Sequence, residues 1–257
     1  MSATSTVLIT GGNRGIWQGL VKTFLARPSL TVIVDVRDPS HPTSKALQDL
    51  PVGKGSKLII VKLDSNVPSD TTTTIATLKG EHGISALDIV VANAGMATDG
   101  GLVRDTAVDN IRKHFEVNTI GPVVLFQAVA DLLQASKTEK PLFVAISTLF
   151  GSMGSMENLV ALPSTNNPYG GSKAALNWFI RRLHFEEPWL TIFFIHPGLV
   201  ETEMAAAAFG NGSTEELSVY GAISIETCVT GLVNVIDRAS KELSETFQNY
   251  DGTPIPW

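Results

Sequence analysis

Tyr169 and Lys173 are the pair of residues in this sequence whose spacing most directly suggests acid–base chemistry. They stand four residues apart in a stretch with helical periodicity, so both side chains project from one face of a helix. An ammonium beside a phenol stabilises the phenolate and lowers its pKa from about 10 towards the working range of a general acid or base. The same spacing also occurs in solvated surface pairs, so further residues have to decide between the two interpretations.

Two hydroxyls and one amide supply candidates for the same site. Ser147 and Thr148 end an apolar run, where a hydroxyl can polarise the oxygen of a substrate carbonyl. Asn118 lies in an apolar helical stretch, where a polar amide needs hydrogen-bond partners. The candidate catalytic residues are therefore Asn118, Ser147, Thr148, Tyr169 and Lys173.

A glycine-rich turn at residues 10–16, TGGNRGI, follows the first apolar run and precedes a helical pattern. Backbone amides in such a turn approach a pyrophosphate without an intervening Cβ, and the helix N-terminus adds favourable partial charge. One glycine-rich turn is weak evidence, because an ordinary strand-to-helix connection has the same composition.

The residues at two further strand ends also indicate that the chain binds a dinucleotide. Asn93, Ala94 and Gly95 follow one strand, and Asp35 and Arg37 follow another. An acid at this position accepts hydrogen bonds from the adenosine ribose, which favours NADH, whereas an arginine pairs with a 2′-phosphate, which favours NADPH. We predict NADPH because Arg37 is joined by Arg14, and NADH is the alternative.

Short β-branched runs alternate with helical segments along the chain, which predicts a doubly wound parallel sheet. The predicted strands are Val7–Thr10, Thr31–Asp35, Leu58–Leu63, Leu87–Ala92, Leu142–Ser147 and Thr191–His196. The predicted helices are Gly15–Ala26, Ser69–Gly80, Val108–Ala135 and Tyr169–Phe185, with Pro122 bending or restarting the third. We expect a single Rossmann-type α/β domain over residues 1–257, with six or seven strands and helices on both faces.

Composition excludes several classes of protein. A net charge of −6 offers no general attraction to nucleic acid, and 44% hydrophobic residues indicate a compact globule. The single cysteine cannot form an internal disulfide, and no Cys/His spacing predicts a metal site. We expect no membrane segment and a cytoplasmic location.

Taken together, these motifs resemble the short-chain dehydrogenase/reductase family over essentially the whole chain. The resemblance rests on TGGNRGI, the NAG at 93–95, Asn118, the hydroxyl at 147 or 148, YGGSK at 169–173 and HPGLVET at 196–202. NPYGGSKAALNW, HPGLVETEM and the closing FQNYDGTPIPW are more narrowly similar to fungal carbonyl reductases of the norsolorinic acid ketoreductase type.

The resemblance implies a role for each matching residue. Tyr169 would donate a proton to the carbonyl oxygen, Lys173 would lower its pKa and hold the nicotinamide ribose, and Asn118 would anchor a water. Thr148 stands where the family usually has serine, with Ser147 as the alternative. The implied cofactor-binding residues are Gly11, Asn13, Arg14, Gly15, Ile16, Asp35, Arg37, Asp64, Asn93, Ala94, Gly95, Tyr169, Lys173, Pro197, Gly198, Val200 and Thr202, with Asp64 at the adenine and Thr202 at the carboxamide.

Trp17 is the main departure from the family pattern. It replaces the last glycine of the TGxxxGxG motif, which lets the first helix pack closely on the strand and the cofactor. The indole turns away from the cofactor and forms part of the substrate wall, or it crowds the nicotinamide end of the cofactor, or it is merely tolerated packing. We favour the first alternative, because the chain keeps Asn118, Tyr169 and Lys173.

The sequence therefore predicts an NAD(P)H-dependent reductase for a fairly large apolar ketone. The alternatives are a cofactor-impaired member that binds a ligand, and an imine reductase. We expect an apolar cleft under a mobile lid at about 199–213. The expected lining is Leu149, Phe150, Met153, Leu199 and Met204, with Trp189 in addition. We also expect a homodimer or homotetramer formed through the helix faces near Ala174, Ala175, Leu176, Trp178 and Phe179.

Overall fold

A computed structural model describes residues 5–98, 101–138, 140–160, 166–208 and 214–257. The strands in these residues are β1 Ser5–Ile9, β2 Leu30–Val36, β3 Lys57–Lys62, β4 Ile89–Ala92, β5 Leu142–Ile146, β6 Thr191–His196 and β7 Phe247–Asn249. The α-helices are α1 Gly15–Leu25, α2 Pro42–Lys45, α3 Pro68–Gly80, α4 Val108–Phe115, α5 Gly121–Gln134, α6 Met156–Leu159, α7 Asn167–Glu186, α8 Glu203–Ala208 and α9 Ile225–Asp237. Short 3₁₀ helices occupy Ala46–Asp49, Val103–Asp105, Leu149–Gly151, Glu215–Tyr220 and Lys241–Leu243.

The strands form one parallel sheet in the order β3-β2-β1-β4-β5-β6-β7. The predicted doubly wound α/β fold and its strand number are thereby confirmed. All six predicted strands exist, and the strand that the sequence did not reveal is β7, which has only three residues. In a parallel sheet of this order, the carboxyl ends of the strands meet at one edge, where ligands bind.

Each face of the sheet carries its own hydrophobic layer. Val7 and Ile9 of β1 pack in the layer that includes α1 and α9, whereas Leu8 between them packs in the layer of α3, α5 and α7. This alternation is the two-residue period of a strand. The strands are therefore buried on both sides, which explains their continuous apolar sequence.

A π-helical turn, Glu116–Ile120, separates α4 from α5. The predicted helix thus restarts just before Pro122, whose missing N–H and ring disrupt the regular α-helical bonding. The stretch Val108–Gln134 is long and apolar enough to span a membrane, but half of its most apolar part is buried within the fold. The α5 side chains Leu125, Phe126 and Val129 pack in the core, as expected of a core helix.

Candidate active site at the carboxyl edge of the sheet

The glycine-rich turn leaves its backbone open at the start of α1. Gly11 and Gly15 adopt φ values of +65° and +56°, which favour glycine, and an added Cβ at Gly12 would lie 2.7 Å from Val34 Cγ1. Arg14, the exposed N-cap residue of α1, makes no side-chain capping bond. The first amides of α1 therefore lack a side-chain cap, and this set of donors fits a pyrophosphate.

Asp35 lies beneath this turn and is fully buried. Its Oδ1 accepts a hydrogen bond of 2.7 Å from the Gly11 N–H, while its Oδ2 has no hydrogen-bond partner among the described residues. Burial raises the pKa of Asp35 to about 7, against the opposing effect of the Gly11 bond. The carboxyl group thus supports the turn, whereas Arg37, two residues on, is exposed.

Neighbouring polar groups fix the turn from both sides. Thr10 Oγ1 accepts the N–H groups of Asn93 and Ala94 at 2.8 Å each, and Asn93 Nδ2 donates to the Thr10 carbonyl at 2.8 Å. Asn13 Nδ2 donates to Thr43 Oγ1 at 2.7 Å, joining the turn to α2. Thr10 opens the TGG motif, but its sequence position alone did not predict this structural role.

Asn118 lies in the π-turn with its side chain fully buried. Its Oδ1 accepts from the Met96 N–H at 2.8 Å, and its Nδ2 donates to the Met96 carbonyl at 2.8 Å and to Ser172 Oγ at 3.0 Å. The amide therefore ties the segment after Gly95 to α7. π-Turns inserted in helices are frequent at functional sites.

A buried histidine one turn earlier holds the same segment and was missed by the sequence analysis. His114 Nε2 accepts the Thr98 N–H at 3.2 Å, and its Nδ1 lies 2.8 Å from the Asn110 carbonyl. The ring is consequently the tautomer that carries hydrogen on Nδ1.

Tyr169 and Lys173 lie at the start of α7, where the sequence predicted them. Burial raises the pKa of Tyr169 to about 12, and the hydroxyl of Thr148 beside the phenol opposes this rise. Lys173 is buried and its Nζ donates to the Ile146 carbonyl at 2.6 Å. Burial lowers the pKa of Lys173 to about 7. An added Cβ on Gly95 would lie 3.8 Å from Lys173 Nζ. The NAG segment and the lysine are therefore neighbours at the carboxyl edge of the sheet.

The two candidate hydroxyls are separated by the structure. Ser147 Oγ donates to Asn177 Oδ1 at 2.6 Å, and Asn177 Nδ2 donates to the Gly151 carbonyl at 3.1 Å. Thr148 instead caps the 3₁₀ helix, and its hydroxyl acts on the pKa of Tyr169. The geometry therefore favours Thr148 over Ser147 as the hydroxyl beside the phenol.

The turn after β6 reaches the glycine-rich turn. Gly198 adopts φ +85°, Val200 forms a bridge with Ile223, and Pro197 accepts a bond of 3.1 Å from Cys228 Sγ. An added Cβ on Gly15 would lie 3.9 Å from Thr202 Cγ2, so Thr202 faces the start of α1. Asp64, after β3, accepts the N–H of Asn66 at 2.9 Å.

The expected substrate-lining residues differ in placement. Leu149, Phe150 and Leu199 are half-buried, whereas Met153 and Met204 are exposed at 72% and 43%. Trp189 does not belong with them, because it precedes β6 at the amino edge of the sheet and donates to Glu187 Oε2 at 2.7 Å. Residues 203–208 of the expected lid form α8, and residues 209–213 lie outside the described residues.

Trp17 is the third residue of α1 and is half-buried. Its indole packs against the hydrophobic layer of α1 and α9. Gly19, two residues on, lets α1 pack closely against α9, because an added Cβ there would lie 2.8 Å from Val229 Cγ2. Trp17 thus has a packing partner in the core.

This set of residues on a doubly wound sheet defines a nicotinamide-dependent oxidoreductase of the short-chain type. The family model for short chain dehydrogenase matches residues 5–211, and the chain belongs to this family. It is 37% identical to norsolorinic acid ketoreductase nor1 of Dothistroma septosporum, covering 100% of this chain and 94% of that protein. It is 38% identical to norsolorinic acid ketoreductase of Aspergillus parasiticus, covering 97% and 90%.

A solved structure agrees with these relatives. The chain is 26% identical to an NADPH-bound carbonyl reductase from chicken fatty liver, with a TM-score of 0.84 and complete coverage of both chains. The resemblance to fungal ketoreductases of the norsolorinic acid type is therefore confirmed.

Proposed function

We propose that this chain uses NADPH to reduce a ketone on a fairly large apolar compound. The observation that carries the proposal is the Thr148 hydroxyl beside the buried Tyr169 phenol, with Lys173 one helical turn away and a glycine-rich turn at the same edge of the sheet. The relatives named ketoreductase and the carbonyl reductase structure support a carbonyl substrate.

Tyr169 acts as the general acid. Its pKa of about 12 keeps the phenol protonated at neutral pH, so a proton is ready for the carbonyl oxygen. Thr148 holds that oxygen with its hydroxyl, and an ammonium on Lys173 increases the acidity of the phenol. The nicotinamide, when bound, supplies the hydride.

The remaining candidate residues hold and orient the cofactor. The amides of residues 11–16 would hold the pyrophosphate, Lys173 would hold the nicotinamide ribose, and Thr202 would hold the carboxamide. Asp64 and the segment 93–95 would hold the adenosine half of the cofactor, and Pro197, Gly198 and Val200 would hold its nicotinamide half. Both amide hydrogens of Asn118 are already bonded, so a relay water would bind to an oxygen of that residue.

Preference for NADPH follows from which charges remain available. Asp35 is buried under Gly11 and Arg37 is exposed, so an arginine and not an acid is available for the adenosine ribose. Arg14 at the start of α1 adds a second exposed guanidinium. The NADPH-bound carbonyl reductase supports the same choice.

Leu149, Phe150, Met153, Leu199 and Met204 give the proposed cleft its apolar character, with a lid at about 199–213. We further propose a single catalytic domain that works in the cytoplasm as a homodimer or homotetramer.

The test combines binding and turnover. The purified protein is titrated with NADPH and NADH by cofactor fluorescence and then supplied with aromatic ketones and cyclic imines. We expect NADPH to bind more tightly and ketones to be reduced. Tyr169→Phe should lower turnover by at least about a hundredfold with little change in NADPH affinity. Failure to bind either cofactor would indicate a cofactor-impaired member, and turnover of imines alone would indicate an imine reductase.

A further inference from the structure

The closing segment Thr253–Trp257 contacts the loop that follows Thr148. Ser152 Oγ donates to the Pro256 carbonyl at 2.5 Å, and the Gly154 N–H donates to the Trp257 backbone oxygen at 2.5 Å. These bonds join residues about a hundred positions apart in sequence, and Ser152 is almost completely buried.

The segment is itself fixed to the far edge of the sheet. Asn249 N–H donates to the Thr253 carbonyl at 2.8 Å, and Ile255 N–H donates to the Phe247 carbonyl at 2.7 Å. The Trp257 ring lies edge-on to Phe194 at 5.1 Å, and the Arg181 guanidinium stacks over it at 4.5 Å. The indole is therefore a partly buried anchor that packs against the core.

The loop at the other end of these bonds leads directly from the proposed catalytic hydroxyl. Residues 149–151 form the 3₁₀ helix capped by Thr148, and an added Cβ on Gly151 would lie 2.9 Å from Lys173 Cβ. Ser152 Oγ also bonds Ser155 Oγ at 2.9 Å and accepts the Ser155 N–H at 3.0 Å. The serine pair thus connects the tight contact at Lys173 with the exposed Met153 and Met156.

We propose that Trp257 is a positioning residue that sets substrate specificity, with the segment Thr253–Trp257 acting as a strap on the loop 152–156. The strap fixes where the exposed methionines of this loop meet the part of a large ketone that lies away from the reacting carbon. The 3₁₀ helix and Thr148 are held separately by Asn177 and the rest of α7. The strap therefore fixes the position of the loop and not that of the proposed general acid, Tyr169. This inference rests on the proposed ketone reduction.

The test removes the anchor and compares small and large ketones. Trp257→Ala should raise KM for a bulky aromatic ketone by more than about tenfold, on the scale that small misplacements of binding groups produce, while kcat for a compact ketone and NADPH affinity change little. Trp257→Phe should keep KM for the bulky ketone close to that of the unmodified protein, because a ring remains between Phe194 and Arg181. Trp189→Ala is the matched control, since Trp189 packs on the same core layer at the opposite edge of the sheet.

Hydrogen exchange gives a reading that does not depend on activity. In Trp257→Ala, amide protection should fall in a peptide covering 150–156 and stay unchanged in one covering 88–96. Unchanged protection of 150–156, or equal kinetic losses for both ketones, would overturn the inference. If the unmodified protein reduces no ketone, the proposed function fails, and the exchange result still decides whether the strap holds the loop.

Discussion

The Gly11 N–H donates a 2.7 Å hydrogen bond to Asp35 Oδ1, linking the glycine-rich turn to the end of β2 through a buried carboxyl group. The second carboxyl oxygen has no hydrogen-bond partner in the part of the chain that the structure describes, and burial raises the pKa of Asp35 to about 7. The group that supports the cofactor turn is thus one whose charge changes near neutral pH.

Asp35→Asn should flatten the pH dependence of stability between pH 5 and 7. In that range the folded protein retains the Asp35 proton while the unfolded chain, with its ordinary pKa of 3.8, has released it. Stability therefore falls as pH rises from about 4 to 7, by on the order of 1 kcal/mol per pH unit from this group. Melting temperatures of both proteins at pH 5 and 7 test this. The melting temperature of Asp35→Asn, relative to that of the unmodified protein, should be higher at pH 7 than at pH 5.

Asp38→Asn is the control for this titration. Asp38 is exposed and its pKa is lowered, first by the Ser40 side chain, so its contribution is lost only as pH falls below its ordinary value. The two variants should differ in their pH 5 to 7 response. Equal slopes for Asp35→Asn and the unmodified protein would refute the raised pKa.

Arg37→Gln should weaken NADPH binding by at least about tenfold and leave NADH binding unchanged, because a guanidinium pairs with the 2′-phosphate that only NADPH carries. Arg112→Gln is a suitable control, since Arg112 is exposed and pairs with Asp109 on α4. Fluorescence titrations with both cofactors give the comparison. An equal loss for NADH would show that Arg37 does not read the phosphate.

Thr148→Val should mainly reduce turnover, whereas Ser147→Ala should mainly reduce stability. Thr148→Val removes the hydroxyl beside Tyr169 and should lower kcat by about a hundredfold. It also removes the cap that Thr148 Oγ1 gives to the Phe150 N–H, which should cost about 1 kcal/mol of stability. Ser147→Ala leaves the buried Asn177 Oδ1 without its 2.6 Å partner, and should cost about 1 to 3 kcal/mol of stability. Loss of activity in a stable Ser147→Ala protein would reverse the assignment.

The sequence predicts the sheet well because strands buried on both faces are continuous β-branched runs with a glycine-rich turn at a fixed place. It also predicts the positions of Tyr169 and Lys173 at the start of a helix and of the glycine-rich turn, because these depend on local sequence patterns. Asp35 is different: its burial follows from the β1–β2 register, in which Ile9 pairs with Val34, and no local pattern reveals that pairing. The three-residue β7 and the partners of His114 depend likewise on long-range packing.

Trp178 and Phe179 make α7 the surface for self-association that we expect. Both are exposed, at 65% and 45%, whereas Leu176 of the predicted patch is fully buried in the core and contributes nothing to an interface. Trp178→Glu should shift a dimer or tetramer towards monomer in analytical ultracentrifugation, because a charge replaces apolar area at the centre of the patch. Val103→Glu, exposed but outside α7, serves as control. A monomeric unmodified protein would contradict the expectation.

Trp17→Gly tests what the indole does in place of the motif glycine. The ring is half-buried against the layer of α1 and α9, so its removal should cost stability. The lost packing and a glycine in the first turn of a helix together amount to about 2 to 4 kcal/mol. A marked fall in melting temperature with an unchanged NADPH dissociation constant is therefore the expected result.

Two measurements separate this packing role from the alternatives. If the indole crowds the cofactor, Trp17→Gly will bind NADPH more tightly, because relief of overpacking is worth about 1 to 3 kcal/mol. If it forms part of the substrate wall, NADPH affinity will stay constant while the preferred ketone or the handedness of the alcohol changes. Trp17→Phe, which keeps a ring against the core, should recover stability, and it should leave product handedness unaltered where packing is the only role of the indole.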